Sequence, residues 1–175
     1  MAETCITRQS TGHQKRTAFG SLRWRSGAGY LSVRVITMQN YTFKVSIKIW
    51  HPTIDPNLIT ETLSIQPNRM CMSGAKRSTP KGTLLDGVYS ESYWYTDPYN
   101  RGECASTDYL AEDLIEETVS LLEPHISFIH KLVDEGGRVH IQVSTYGDRS
   151  YAIELSHSML MRLSALKVSY VQDVY

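Results

Sequence analysis

The chain has 175 residues, a formal net charge of zero at pH 7 and 41% hydrophobic residues. This length provides one domain with a sizeable core, and the composition excludes a globally disordered chain and a strongly charged polyelectrolyte. No apolar run approaches the roughly 18–20 residues that span a bilayer, so no membrane segment is expected.

Charge is unevenly distributed along the chain. Residues 1–37 contain six lysine and arginine residues against one acid, whereas residues 38–175 contain twelve against seventeen. We therefore expect a basic, disordered N-terminal extension at residues 1–38 and a single domain at residues 39–175. We favour an extension upstream of a true start at Met38, and a native segment or an organelle targeting segment remains an alternative.

The cysteine and histidine patterns indicate neither disulfides nor a metal site. Cys5, Cys71 and Cys104 form no regular framework and leave one cysteine unpaired, which favours a reduced, cytoplasmic compartment. Neither of the last two has a second cysteine at zinc-finger spacing, and the six histidines do not converge in sequence. No metal or cofactor is expected.

The first element is a strand that begins near Tyr41. Alternate apolar residues predict one buried face, formed by Phe43, Val45, Ile47 and Ile49. The intervening lysines and serine predict a face exposed to water.

A corner follows the first strand at "WHP". Asp55 is a suitable N-cap and Pro56 a suitable first helical residue, so a short helix is predicted at residues 56–64. His51 is expected to brace this corner by hydrogen bonding.

The middle of the chain is predicted to contain two loops, one strand and two helices. Residues 66–87 have no clear period and are predicted to be a long loop, followed by a strand at 88–95 and a second loop. Ser106 or Thr107 is expected to cap the main helix. Pro124 divides it from a second helix, which ends at the glycine pair 136–137.

The last third is predicted to form a hairpin, a helix and a strand. The hairpin runs from Val139 through the turn "YGDRS" to a return strand beginning at Tyr151. Ser156 caps the last helix, and "VSYVQDVY" alternates as the final strand. Because every predicted strand alternates, we expect an α+β fold with an antiparallel or mixed sheet of about five strands and helices on one face. A ferredoxin-like arrangement is one candidate topology.

A basic segment followed by aromatic residues is the main candidate for binding. No acid lies between Glu61 and Asp86, and this interval carries Arg69, Lys76, Arg77 and Lys81. Aromatic residues follow directly, at Tyr89, Tyr93, Trp94, Tyr95 and Tyr99, and Trp50 and His51 lie at the corner. Cations beside aromatic rings can recognise phosphate, nucleic acid or an acidic protein surface. A solvated basic loop over a half-buried strand is the simpler explanation, and the spacing does not match a phosphate-binding P-loop.

The polar faces of the strands are a second candidate. Lys44, Lys48, His140, Gln142 and Ser144 are expected to share an open sheet face that binds a partner or a second copy of the chain. Plain solvent exposure is the alternative.

Catalysis has weaker support in the sequence. There is no G-x-S-x-G motif, and Cys71 with His51 is the one pair whose predicted positions both flank the first helix. Nothing in the sequence activates either residue.

Four features follow one another between residues 41 and 175: the H-P-x-x-D-P corner, the glycine after the basic arginine stretch, the "SYW" segment and the terminal "D-x-Y". In the order and spacing of these features the chain resembles a bacterial family known as domain of unknown function 4279. The resemblance implies no established activity and no catalytic residue. By analogy with other small proteins, it implies an immunity-type or adaptor role.

These observations lead to one functional hypothesis and one alternative. The hypothesis is a non-enzymatic binding module of the bacterial cytosol that recognises a protein or anionic ligand through residues 69–81 and 89–99. The alternative is a small hydrolase or transferase using Cys71 or His51. The net charge of −5 on residues 38–175 disfavours nucleic acid as a partner.

Overall fold

The computed structural model describes residues 40–79, 81–148 and 150–175. The predicted extension at residues 1–38, with its boundary to the domain, lies outside these ranges. Eight strands are present in the described residues: β1 Thr42–His51, β2 Arg69–Cys71, β3 Lys76–Ser78, β4 Leu84–Val88, β5 Ser92–Thr96, β6 Cys104–Ala105, β7 Arg138–Tyr146 and β8 Ser169–Val174. They are accompanied by four α-helices: α1 Pro56–Leu63, α2 Ala111–Leu122, α3 Ile126–Asp134 and α4 His157–Ala165.

The strands form one mixed sheet and one separate hairpin. The main sheet has the order β2-β5-β1-β7-β8, with β6 paired to the start of β1. All of its pairings are antiparallel except β7 with β8, which are joined through α4. β3 and β4 form a two-stranded hairpin outside this sheet. The predicted α+β class with a mixed sheet is confirmed.

The core lies between the helices and one face of the sheet. Phe43, Val45, Ile47 and Ile49 of β1 are buried, as the alternation predicts. The apolar face of α2 packs toward them, since Leu114, Ile115, Val119 and Leu122 are also buried. The helices pack on this face of the sheet, and in the described part of the chain no helix covers the other face.

The corner after β1 has the predicted architecture. Asp55 caps α1 by accepting a hydrogen bond from the Asn57 backbone N–H at 2.9 Å, and Pro56 is the first helical residue. A Cβ atom at Gly137 would lie 2.6 Å from the Leu132 carbonyl oxygen and 3.0 Å from that of Trp50. The end of α3 therefore reaches this corner closely enough that only glycine fits.

Three predicted elements are wrong. The long loop contains β2, β3 and β4, and the following strand begins at Ser92 rather than residue 88. The return strand at Tyr151 is absent, because β7 pairs with β1 and β8 instead. Neither Ser106 nor Thr107 caps the main helix, which begins at Ala111 with Leu110 as its N-cap residue. The Ser106 hydroxyl instead accepts a hydrogen bond from the Tyr41 N–H at 3.0 Å.

Other predicted helix ends are confirmed. The Ser156 hydroxyl accepts a hydrogen bond from the Met159 N–H at 3.2 Å and caps α4. A short 3₁₀ turn containing Pro124 separates α2 from α3, and α3 ends just before the glycine pair.

Candidate functional site

The uncovered side of the main sheet, called the open face below, collects polar and aromatic side chains in lateral rows. Paired residues of neighbouring strands point to the same side of a sheet. Arg69 pairs with Tyr95, Tyr95 with Lys48, and Lys48 with His140. These four side chains therefore form one row across β2, β5, β1 and β7.

A second row lies two residues away along the strands. It contains Cys71, Tyr93, Trp50 and Arg138. The Trp50 ring lies 5.3 Å from the Tyr93 ring and 4.9 Å from the His140 ring, centre to centre. The Arg138 guanidinium lies 5.4 Å from the Trp50 ring centre, and its Nη2 donates to both carboxylate oxygens of Glu91, at 2.8 and 2.9 Å.

A shallow cleft of about 480 Å³ opens on this face. Its lining includes three cations (Lys44, Lys48 and Arg69), three tyrosines (Tyr93, Tyr95 and Tyr146) and one carboxylate (Glu103). The ammonium groups of Lys44 and Lys48 lie 5.8 and 5.9 Å from the centre of the Tyr95 ring. Two of the cations, Lys44 and Lys48, thus lie close to the phenol ring of Tyr95. The three cations of the cleft lining outnumber its one carboxylate.

Only one of these three cations has a carboxylate within 4.0 Å among the described residues. The Lys44 ammonium lies 3.9 Å from Asp97, whose carboxylate also accepts backbone hydrogen bonds, the shortest from the Gly102 N–H at 2.8 Å. The neighbouring Tyr95 hydroxyl raises the pKa of Lys44, against the lowering effect of burial. No carboxylate of the described chain lies within 4.0 Å of the Lys48 ammonium or the Arg69 guanidinium.

His140 experiences the positive charge of the open face. Burial lowers the pKa of this histidine below 6.5, and the nearby Arg138 and Lys48 lower it further. Because like charge disfavours protonation of the imidazole, the neutral form is preferred here.

The predicted basic segment is divided between two structures. Arg69 belongs to β2 and to the cleft, whereas Lys76 and Arg77 lie on β3 and Lys81 follows in the hairpin turn. The side chains of all four residues are exposed. The hairpin contacts Tyr89, whose hydroxyl donates to the Ser78 carbonyl at 3.1 Å. The Ser78 backbone and, to a smaller extent, Arg69 lower the pKa of Tyr89. The hairpin is joined by residues 72–75 to β2, the strand that brings Arg69 to the cleft.

Two predicted site residues are buried on the opposite side of the sheet. Trp94 is 0% exposed, and its indole N–H donates to the Thr60 hydroxyl at 3.0 Å. His51 is 4% exposed, and its Nδ1 accepts hydrogen bonds from the backbone N–H groups of Thr53 at 3.1 Å and Ile54 at 2.9 Å. A ligand on the open face reaches neither side chain, and the predicted bracing role of His51 is confirmed.

The same alternation separates Cys71 from His51. Cys71 pairs with Tyr93 on the open face, while His51 pairs with Ser92 on the buried face. Burial raises the pKa of the Cys71 thiol, which opposes formation of the reactive thiolate at neutral pH. The geometry therefore gives these two residues no shared site.

The structure also adds residues to the predicted site. Lys44, Lys48, His140, Gln142 and Ser144 share the open face, as their strand patterns predict. Arg69 joins them through β2, a strand of three residues that is too short to show a period. Tyr146 and Glu103 line the cleft as well, and no sequence signal linked them to it.

Within the described ranges, no group of three or more His, Cys, Asp or Glu side chains is arranged to hold a metal ion. None of the helices seen in the described chain combines the length and apolar character that crossing a bilayer requires.

Comparison with known proteins gives one match. A family model described as "Domain of unknown function (DUF4279)" matches residues 40–175. A comparison with curated proteins gave no match, and a comparison with solved structures gave none either.

Proposed function

Since the chain belongs to the DUF4279 family, a family described only by a domain of unknown function, we propose a function from the surface of this domain itself. The domain is a non-enzymatic binding module. It recognises an anionic ligand or an acidic protein surface through its open face, with the β3–β4 hairpin as an extension of that surface.

The observation that carries this proposal is the composition of the cleft. Lys44, Lys48 and Arg69 line it with only Glu103 as an opposing carboxylate. Its volume of about 480 Å³ falls within the range of small-molecule sites, roughly 300–1,000 Å³. Two of its cations, Lys48 and Arg69, have no carboxylate within 4.0 Å in the described chain, and a bound anion would pair with them.

The hairpin supports recognition of a larger partner. Lys76, Arg77 and Lys81 add positive charge beside the cleft, and Leu84 and Val88 expose large apolar surfaces. Exposed apolar side chains next to cations are typical of protein interaction surfaces rather than of plain solvated loops.

The chemistry of the site favours binding over catalysis. The cysteine and histidine considered for the enzyme alternative lie on opposite faces of the sheet, and burial raises the pKa of the Cys71 thiol. Because the two residues share no site, the enzyme alternative has no geometric support.

The proposal is tested by mapping the binding of two simple probes, a hexaglutamate peptide and inorganic phosphate. Backbone amide NMR shifts of the full chain should change along β1, β2 and β5 when a probe is added. The double variant Lys48→Glu, Arg69→Glu should abolish these changes and leave the melting temperature near wild type, because both side chains are on the open face. Lys131→Glu, on the helical side, is the matched control and should retain them.

Two outcomes would contradict the proposal. One is the absence of shift changes on the open face with either probe. The other is an undiminished response of the double variant. A triple variant of Lys76, Arg77 and Lys81 to glutamate separately measures the contribution of the hairpin, which should be larger for hexaglutamate than for phosphate.

A further inference from the structure

Building on the proposed function, we propose that the anion recognised in the cleft is the dianionic phosphate of an organic phosphate monoester, bound beside Tyr95 by Lys44, Lys48 and Arg69. The inference specifies the ligand chemistry of the open face, which the family description leaves open.

The three cations flank Tyr95 from the strands on both of its sides. Lys44 and Lys48 lie four residues apart on β1 and both approach the Tyr95 ring, at 5.8 and 5.9 Å from its centre. Arg69 flanks Tyr95 from β2 on the other side. A planar carboxylate is satisfied by one bidentate arginine, whereas a phosphate monoester presents three terminal oxygens to donors from several directions.

The charge of the cleft fits a dianion. Three cations and one carboxylate, Glu103, line the cleft, and the Asp97 carboxylate lies 3.9 Å from Lys44. Lys48 and Arg69 have no carboxylate within 4.0 Å in the described chain, and together they carry two positive charges. A phosphate monoester carries about −1.5 to −2 at pH 7, which matches these two charges. A sulfate ester or a single carboxylate carries one negative charge and would balance only one of them.

The size of the cleft favours an ester over free phosphate. About 480 Å³ is the space of a small organic ligand rather than of one inorganic ion. The neighbouring row on the open face supplies Tyr93 and Trp50, roughly 7 Å further along the strands, two residues of rise. The organic part of the ester can therefore lie against aromatic surface while the phosphate remains beside Tyr95 and its flanking cations.

Four probes separate these contributions: phenyl phosphate, phenyl sulfate, benzoate and inorganic phosphate. Their dissociation constants for the full chain are measured at pH 7.5 and fixed ionic strength by NMR titration. Phenyl phosphate should bind about tenfold or more tightly than each of the other three, a ratio equivalent to one charge-assisted hydrogen bond. Equal affinity for phenyl phosphate and phenyl sulfate would overturn the dianion argument, and equal affinity for inorganic phosphate would overturn the ester argument.

Variants assign the binding to the named cations. Lys48→Ala and Arg69→Ala should each weaken phenyl phosphate binding by about tenfold, while Lys131→Ala on the helical side should leave it unchanged. Unchanged binding in both cleft variants would overturn the assignment. If hexaglutamate binds the open face and phenyl phosphate does not, the phosphate inference fails and the proposed binding function stands. If neither probe binds there, both fail.

Discussion

Replacing His51 tests whether the corner after β1 is held by one imidazole. Its Nδ1 accepts two backbone N–H groups, from Thr53 at 3.1 Å and Ile54 at 2.9 Å, so the proton of the neutral ring lies on Nε2. His51→Ala removes both acceptors and empties a buried position. A buried N–H group left without a protein partner costs about 1–3 kcal/mol, and we take about 1 kcal/mol for each because water can partly hydrate them. The lost packing of the ring adds about 1 kcal/mol.

The expected loss in the free energy of unfolding is therefore about 3 kcal/mol, which corresponds to roughly 10 °C in melting temperature for a domain of this size. His51→Asn should recover about 1 kcal/mol, because an asparagine oxygen can accept from the backbone two residues further on. Urea denaturation followed by circular dichroism measures both variants.

Glu135→Gln is the control for the other ring nitrogen. The Glu135 carboxylate lies 3.5 Å from His51 Nε2 but is 48% exposed, so its removal should cost less than about 1 kcal/mol. A melting temperature of His51→Ala within about 2 °C of wild type would refute the bracing role. Lost probe binding by a stably folded His51→Ala would instead show that the histidine acts in recognition.

Two further predictions concern pKa values on the open face. Burial and the nearby Arg138 and Lys48 lower the pKa of His140, so the unfolded chain binds a proton more readily than the folded one. The free energy of unfolding should therefore decrease as pH falls below about 6.5. In urea titrations, the free energy of unfolding of His140→Gln should decrease less between pH 7.5 and 5.5 than that of the wild type. Equal decreases in the two proteins would contradict this prediction. Burial raises the pKa of the Cys71 thiol, so little of it is thiolate at pH 7. In a Cys5→Ser, Cys104→Ser background, iodoacetamide should therefore modify Cys71 more slowly at pH 7 than it modifies glutathione. Faster modification of Cys71 would support the enzyme alternative.

The sequence was most informative where one strand contains both a buried and a wet face. In β1 the alternation predicted the buried residues and also placed Lys44 and Lys48 together on the other side. The face of the sheet that a residue occupies follows from its position in the strand, so the buried residues of β1 can be identified from the local sequence alone. The shared open face could be predicted for the same reason.

The short strands could not be predicted, because they are formed by pairing rather than by their own pattern. β2 and β3 have three residues each, too few for a period, and β4 is exposed along its whole length. β2 exists because it pairs with β5, about 25 residues later in the chain. Arg69 could therefore not be assigned to the open face from the sequence.

The return strand after β7 was predicted from alternating apolar residues, and such alternation also arises in a segment that packs against the core without pairing as a strand. Tyr151, Ile153 and Leu155 pack against the core, and the Tyr151 ring stacks on Tyr41 at 4.5 Å. They form no ladder with β7, whose neighbours are β1 and β8. Alternation thus reports that one side of a segment is buried, and it does not identify the strand with which the segment pairs.

The adjacent residues Trp50 and His51 show how one strand separates stability from binding. Trp50 lies on the open face among Tyr93, His140 and Arg138, whereas His51 lies on the buried face and holds the corner. Because the side-chain period of a strand is two, the two residues cannot exchange roles without shifting the register of all of β1. Substitution of Trp50 should therefore alter the open face with little effect on the corner, and substitution of His51 should do the reverse. The two side chains, although consecutive, are independent probes of the proposed function and of the fold.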